Sequence, residues 1–294
     1  MNRLMKLAVA ATMAMGVSAP AFAEDKTLAL VVSTLNNPFF VTLKEGAEAK
    51  AGELGYELLV LDSQNDPAKE LANVEDVLNK DIALLIINPT DSDAVRSAIR
   101  AANRAEVPVV TLDRGANGGD VVSHVASDNV QGGTMAGDLI IEKLGGSGKV
   151  VELQGVPGTS AARDRGEGFN KAVDAASGVE VVASQAADFD RTKGLNVMEN
   201  ILQAQPEIDA VFAHNDEMAL GAIKAVGASG RDIIVVGFDG TGDAVTAVNE
   251  GSMLATVAQQ ATMIGSIGIE TADAVLKGGE VPEYTPVLLQ LITK

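Results

Sequence analysis

The sequence contains no cysteine, no tryptophan and only two histidines. Without cysteine the chain can form no disulfide, thiolate nucleophile, iron–sulfur cluster or cysteine-bound zinc site. His124 and His214 stand far apart in the sequence, so a histidine metal cluster has no basis either. We therefore expect neither a metal nor a cofactor.

Positive charge is also scarce. The chain has 22 lysines and arginines against 40 aspartates and glutamates, which gives a formal charge of −18 at pH 7. Proteins that bind nucleic acid or an anionic membrane surface need a positive surface that displaces counterions. The composition therefore argues against both, and we expect no nucleic-acid partner.

The first 23 residues have the pattern of an export signal. Arg3 and Lys6 precede an apolar stretch at residues 7–17, and Ala21 and Ala23 supply small residues at a cleavage site. The alternative, a membrane anchor, is disfavoured because this stretch is about half of the roughly 20 residues that span a bilayer. We predict cleavage after Ala23. The remaining length suits two lobes of ordinary domain size.

The rest of the chain alternates between strand and helix patterns. Residues 68–80 place Leu71, Val74 and Val77 on one face of a helix. Strand-length apolar runs lie at residues 27–32, 57–61, 83–87, 107–112, 149–153, 179–183, 210–213 and 233–238. This alternation predicts the α/β class, with parallel sheets and helices on both faces. We expect short crossings between lobes near residues 127–129 and again late in the chain, with residues 261–276 returning to the first lobe.

Polar side chains follow most of the apolar runs. Ligands of parallel sheets bind outside the carboxyl ends of the strands, so these positions are candidates for a site. They are Ser33, Asp62, Asn88, Asp113, Arg114, Gln154, Asn215 and Asp239. The alternative is that they cap helices or start turns, each contributing about 1 kcal/mol. Capping does not explain why Arg114 stands beside Asp113.

Aromatic residues add to this pattern. Only 7 Phe and 2 Tyr are present, yet Pro38, Phe39 and Phe40 place two large rings at the start of a predicted helix. A neutral sugar needs acceptors and donors for its hydroxyls and flat apolar surfaces for its C–H faces. Asp, Asn, Arg and Phe meet that need. A phosphate ligand is disfavoured because residues 145–149 (GGSGK) lack the spacing of a phosphate-binding loop.

Enzyme signatures are missing from the sequence. It has no G-x-S-x-G elbow and no H-E-x-x-H pair. Paired carboxylates at Asp188 and Asp190, and at Asp216 and Glu217, are compatible with glycoside hydrolysis, but such groups are usually solvated charges. We expect no catalytic residue. His214, at the mouth of the second half, is a candidate rim residue of the site, but a satisfied surface histidine is the favoured interpretation.

Eight segments together carry a family resemblance. They are residues 29–40 (ALVVSTLNNPFF), 61–65 (LDSQN), 87–94 (INPTDSDA), 111–114 (TLDR), 158–163 (GTSAAR), 187–191 (ADFDR), 215–219 (NDEMA) and 236–240 (VGFDG). In this order they resemble the periplasmic sugar-binding proteins of bacterial ABC transport, in the branch that binds D-ribose. The likeness covers essentially the whole chain after residue 23.

The resemblance implies a periplasmic, monomeric protein that does no chemistry. It implies two similar lobes of the type I periplasmic binding fold, joined by a multi-strand hinge, with residues 24–127 and 260–288 in the first lobe and 128–259 and 289–294 in the second. D-ribose would lie between the lobes and pass to a membrane permease, with a chemoreceptor as a further partner. The implied contacts are Ser33, Asn37, Phe39, Phe40, Asn88, Asp113, Arg114, Arg165, Phe189, Asn215, Asp239 and Gln259.

Three alternatives stay beside this prediction. A different small sugar, such as allose or a furanosyl signal, would keep the fold and change some pocket residues. A secreted carbohydrate-processing enzyme would need an acid/base pair that faces the pocket. The effector lobe of a repressor would need a preceding helix-turn-helix and a cytoplasmic location, and the export signal argues against both.

Overall fold

The computed structural model describes residues 27–294. The predicted export signal and its cleavage site after Ala23 lie outside the described residues. Two six-stranded sheets form the framework. The first contains β1 (Thr27–Val32), β2 (Glu57–Asp62), β3 (Leu84–Ile87), β4 (Val109–Leu112), β5 (Ser123–Ser127) and β11 (Tyr284–Val287). The second contains β6 (Ser147–Gln154), β7 (Gly178–Ala186), β8 (Ala210–Ala213), β9 (Ile234–Asp239), β10 (Ala255–Ala258) and β12 (Gln290–Thr293).

The two sheets repeat one topology. The strand order is β11-β5-β4-β3-β1-β2 in the first and β12-β10-β9-β8-β6-β7 in the second. In each sheet the second strand along the chain lies on one side of the first strand, and the third lies on its other side. The strand order therefore reverses at β1 in the first sheet and at β6 in the second. A crevice forms at the carboxyl ends of the strands at such a switch point, and ligands of open α/β sheets bind there.

Nine helices connect these strands within residues 27–294. They are α1 (Pro38–Leu54), α2 (Pro67–Leu78), α3 (Arg96–Arg104), α4 (Asn129–Lys143), α5 (Ser160–Ala175), α6 (Arg191–Ala204), α7 (Asp216–Ser229), α8 (Gly242–Glu250) and α9 (Ala261–Leu276). Apolar side chains of β1, α1 and α9 share one core cluster, so α9 returns to the first sheet as expected. Gly46 and Gly265 stand where α1 and α9 meet, and a Cβ at either would collide with the backbone of the other helix. The α/β class predicted from the sequence is confirmed.

The strand predictions were incomplete in two respects. All eight predicted strands are present, but β5, β10, β11 and β12 were not anticipated. The expectation that all strands are parallel was wrong for β12, which pairs antiparallel with β10. β12 is the edge strand of its sheet, where an antiparallel partner requires no crossover helix.

The sheets are connected by three short crossings of the chain. They lie between β5 and α4, between β10 and α9, and between β11 and β12. Phe169, Phe212 and Phe238 are fully buried in the core of the second sheet. Within residues 27–294, no helix is both long enough and apolar enough to cross a membrane.

Candidate functional site

A small cavity lies between the two lobes and contains side chains from both. It is narrow, with about 210 Å³ of space including the part that is open to solvent. Its wall consists of Asn37, Phe39, Phe40, Asp113, Arg114, Ala161, Arg165, Phe189, Asn215, Asp239 and Gln259. The mixed polar and aromatic lining suits a small polar ligand.

The first turn of α1 supplies one apolar wall. Asn37 is the N-cap of this helix, and its side chain accepts a hydrogen bond from the backbone N–H of Phe39 at 2.9 Å. Pro38 occupies the first helical position, where its missing N–H costs no hydrogen bond. Phe39 and Phe40 pack edge to face, with ring centroids 5.2 Å apart. The cap therefore fixes both the polar Asn37 and the two rings at the cavity.

Asp113 and Arg114 lie just beyond the carboxyl end of β4. The backbone of Asp113 has φ of 60°, a strained region for a residue with a Cβ. Asn88 donates to Asp113 Oδ2 at 3.3 Å, and Arg114 Nε lies 3.8 Å from the same oxygen. Burial lowers the pKa of Arg114, and the Asp113 carboxylate opposes this shift. The tight turn presents a carboxylate and a guanidinium together at the cavity.

The second lobe provides a matching pair. Arg165 of α5 donates to Asn129 Oδ1 at 2.8 Å and lies 3.5 Å from Asp239 Oδ1. Its guanidinium carbon lies 3.8 Å from the ring centroid of Phe238. Asp239, the last residue of β9, has φ of 120°. Burial raises the pKa of Asp239, and the charge of Arg165 opposes that shift.

Phe189 closes the cavity from the second lobe. Its ring is contacted by both guanidinium groups, at 5.2 Å from Arg114 and 5.7 Å from Arg165. The contact with Arg114 crosses from one lobe to the other. Asn215 donates to the backbone carbonyl of Phe189 at 3.5 Å while its own oxygen caps α7. The ring of Phe189 thus lies against two guanidinium groups, and the side chain of Asn215 contacts its backbone.

Three buried polar atoms at this cavity have no hydrogen-bond partner among residues 27–294. They are Asp113 Oδ1, Arg114 Nε and Gln259 Oε1. Gln259 donates its amide N–H to Asp239 Oδ1 at 2.8 Å, so its oxygen is the free end of the group. Leaving a buried polar atom without a partner costs about 1–3 kcal/mol. Two acceptors and one donor around one small space are what a ligand with several hydroxyls satisfies.

The structure brings ten of the twelve sequence-predicted residues to the cavity wall. The other two, Ser33 and Asn88, are fully buried one layer behind it. Ser33 donates to Asn88 Oδ1 at 2.6 Å, and Asn88 in turn donates to Asp113. They orient the carboxylate from behind. Ala161, near the start of α5, lines the wall and was missed, because an alanine carries no chemical signal in a sequence.

Two other expectations were wrong. His214 is not a surface residue, because only 1% of its surface is exposed and it bonds Glu152 inside the second lobe. Asp216 is not a solvated charge: it is fully buried and accepts hydrogen bonds from Thr241 and Thr256. Burial raises the pKa of Asp216 to about 6, against the effect of these bonds. Its carboxylate ties the start of α7 to the loop after β9.

Glu70 gives a pH-dependent prediction for stability. This residue of α2 is 1% exposed and accepts the backbone N–H of Thr90 at 2.7 Å. Burial raises its pKa from 4.5 to about 7, against the effect of the Thr90 bonds. The folded protein therefore binds this proton more tightly than the unfolded chain. The resulting stabilisation is complete below pH 4.5 and is lost as the pH rises through about 7.

Glu70→Gln should remove that pH dependence, since glutamine keeps the acceptor for Thr90 without a charge. From pH 4.5 to pH 8 the wild type loses this stabilisation and the variant does not. The free energy of unfolding of the variant should therefore rise by about 2–3 kcal/mol relative to that of the wild type over this pH range. Urea unfolding at both pH values measures the gain. An equal difference between the two proteins at both pH values would contradict the assignment.

Comparisons with known proteins identify the family. Residues 28–280 match the model of the periplasmic binding protein domain. The chain belongs to the periplasmic binding protein family. It is 58% identical to a ribose import binding protein of Haemophilus influenzae, with 100% of both chains covered. It is 52% identical to a ribose import binding protein of Bacillus subtilis, covering 92% of this chain and 88% of that one.

Solved structures show the same fold. This periplasmic binding protein superposes on an ABC transporter solute-binding protein of Bacillus halodurans with bound myo-inositol, with a TM-score of 0.87 at 32% identity. The match covers 92% of this chain and 94% of that one. All three relatives are solute-binding or import-binding proteins by name.

Proposed function

We propose that this chain is a periplasmic solute-binding protein that captures D-ribose between its two lobes and delivers it to the permease of an ABC transporter. The observation that carries the proposal is the cavity with three unpartnered polar atoms, on Asp113, Arg114 and Gln259, enclosed by phenylalanine rings. Ribose hydroxyls supply the missing partners, and the rings of Phe39, Phe40 and Phe189 cover its C–H faces.

The charges of the site favour a neutral ligand. Asp113 is paired with Arg114 and Asp239 with Arg165, so the two carboxylates and two guanidinium groups balance. An anionic ligand would leave one excess negative charge in a buried space, which is costly. Uncharged hydroxyls instead accept from arginine and donate to aspartate through charge-assisted hydrogen bonds.

The ten wall residues predicted from the sequence are the proposed direct contacts, and Ser33 and Asn88 act through Asp113. The contacts come from both lobes. A sugar therefore stabilises the closed arrangement over an open one by the difference in contacts that it makes.

The three crossings between the sheets are the proposed hinge. The closed surface is what the permease recognises, and a chemoreceptor is a second candidate partner for it. The proposed state in solution is a monomer.

The choice of D-ribose rests on the similarity to the two ribose import binding proteins. A different small sugar is the second candidate, because the solved relative holds myo-inositol in the same fold. We propose that the protein releases the sugar chemically unchanged. Asp113 and Asp239 are each tied to an arginine and do not form a free acid/base pair.

Calorimetry tests the proposal. The protein is purified after export, unfolded in denaturant to remove bound sugar, refolded and titrated with D-ribose, D-allose and myo-inositol. We expect binding of D-ribose with a dissociation constant at least about a hundredfold below those of the other two, since mismatched hydroxyls leave buried polar atoms unpaired. NMR of the released sugar checks that it is unchanged. Absence of heat with D-ribose together with binding of another sugar would refute the substrate, and a modified sugar would refute the non-enzymatic assignment.

A further inference from the structure

A buried histidine–carboxylate contact lies behind the second lobe's wall of the cavity. His214 follows β8 and Glu152 lies on the neighbouring strand β6, and each is 1% exposed. His214 Nε2 is 2.9 Å from Glu152 Oε1. Glu152 also accepts hydrogen bonds from Ser184 at 2.5 Å, from Gln154 at 3.2 Å and from Asn170 at 3.3 Å. A carboxylate with so many donors is satisfied as an anion.

The other nitrogen of the imidazole fixes its protonation. The backbone N–H of Gly155 donates to His214 Nδ1 at 3.3 Å, which requires a lone pair on that nitrogen. The single proton of a neutral imidazole then lies on Nε2 and is donated to Glu152. A second proton on Nδ1 would point at the Gly155 N–H, so that two donors would face each other.

His214 contacts the cavity wall through its backbone as well as through its ring. Arg165 donates through Nη1 to the backbone carbonyl of His214 at 2.5 Å. Gly155 lies so close to the ring of Phe189 that a Cβ there would overlap it. Asn215 is the next residue in the chain. His214 is thus one step removed from a cation, an aromatic ring and an amide that face the ligand.

We propose that His214 is a positioning residue for ligand binding: its neutral imidazole, bridging Gly155 N–H and Glu152, holds Arg165 and Phe189 in their binding positions, and acid weakens binding by breaking this bridge. The inference rests on the proposed function, since it concerns the same site. In this proposal, the His214 side chain contributes to the affinity for the ligand although it does not reach the cavity.

The surrounding charges determine the direction of the pH effect. Burial lowers the pKa of His214 below its usual 6.5; Glu152 opposes this shift and the charge of Arg165 adds to it. The contribution of His214 to the affinity is therefore complete at pH 7.5 and is lost on the acid side. Asp239 lies 3.5 Å from Arg165, and burial raises the pKa of both Asp239 and Asp216, so these two groups also titrate. Gln154 and Asn170, which both donate to Glu152, also line a pocket that is open to solvent.

The test compares the pH dependence of affinity in matched variants. Glutamine at position 214 accepts from Gly155 and donates to Glu152 without titrating, and it leaves Asp216 and Asp239 in place. Between pH 7.5 and pH 4.5, we expect the affinity for D-ribose to fall about tenfold more in the wild type than in His214→Gln. His214→Ala should bind about tenfold more weakly than His214→Gln at pH 7.5, because Gly155 loses its acceptor. The control His124→Gln alters the other histidine, in the first lobe, and should follow the wild-type profile.

Equal pH profiles in the wild type and His214→Gln would overturn the inference. A second measurement does not depend on sugar. In ¹⁵N NMR of the sugar-free protein, His214 should keep its proton on Nε2 at pH 7 and gain a second one only below pH 6.5. A proton on Nδ1 at pH 7 would also overturn it. Failure of D-ribose to bind the wild type at pH 7.5 would instead refute the proposed function, while the NMR result would still decide whether the imidazole forms this bridge.

Discussion

Arg114→Ala is expected to weaken D-ribose binding by about 2–5 kcal/mol, which is roughly a thirty- to several-thousandfold increase in the dissociation constant. The side chain is 3% exposed, has an unpartnered Nε at the cavity and contacts Phe40 and Phe189 from opposite lobes. Alanine removes the donor to the ligand, the cation between the two rings and the counter-charge of Asp113. The closed state then contains a buried carboxylate without its guanidinium partner.

Calorimetry on Arg114→Ala measures this loss, and Arg100→Ala is the matched control. Arg100 lies exposed on α3, away from the cavity, so its variant should bind like the wild type. We expect the thermal midpoint of Arg114→Ala to change little, because an open cleft lets water hydrate Asp113. An affinity within twofold of the wild type would mean that Arg114 does not contact the ligand.

Asp239→Ala should have an effect of similar size, about 2–5 kcal/mol of binding free energy. Asp239 accepts from Gln259 and balances Arg165 across 3.5 Å. Its removal deprives the ligand of a charged acceptor and lets the Gln259 amide turn away.

Asp239→Asn tests the effect of the carboxylate charge on binding separately from the effect of the side-chain shape. Asparagine keeps the side-chain volume and one oxygen acceptor, so we expect it to lose less affinity than alanine but to remain at least about tenfold weaker than the wild type. Asp232→Ala, at an exposed position just before β9, is the control and should bind normally. Equal affinities for Asp239→Asn and the wild type would show that the carboxylate charge does not act on the ligand.

The sequence anticipated most of the framework because buried parallel strands are continuous apolar runs. It located eight strands and the helix at residues 261–276, whose apolar positions are strong signals. It missed β5, β10, β11 and β12. Each is only four or five residues long and contains at least one polar residue, so its strand character depends on the neighbours that it pairs with. The lobe boundaries after residues 127, 259 and 288 stay a prediction.

The amino-acid sequence by itself determined the α/β class, the repeated polar positions at strand ends and the residue types that suit a sugar. Only the tertiary structure decided which of these side chains share one cavity. Ser33 and Asn88 have the same strand-end position as Asp113, yet they lie behind it. His214 has the polarity of a rim residue, yet it bonds Glu152 inside the lobe. The physical reason is that the direction of a side chain after a strand depends on the local backbone and on partners from other strands. Glu152 is 62 positions away from His214 in the chain, so the residues next to the histidine do not indicate that the two side chains bond.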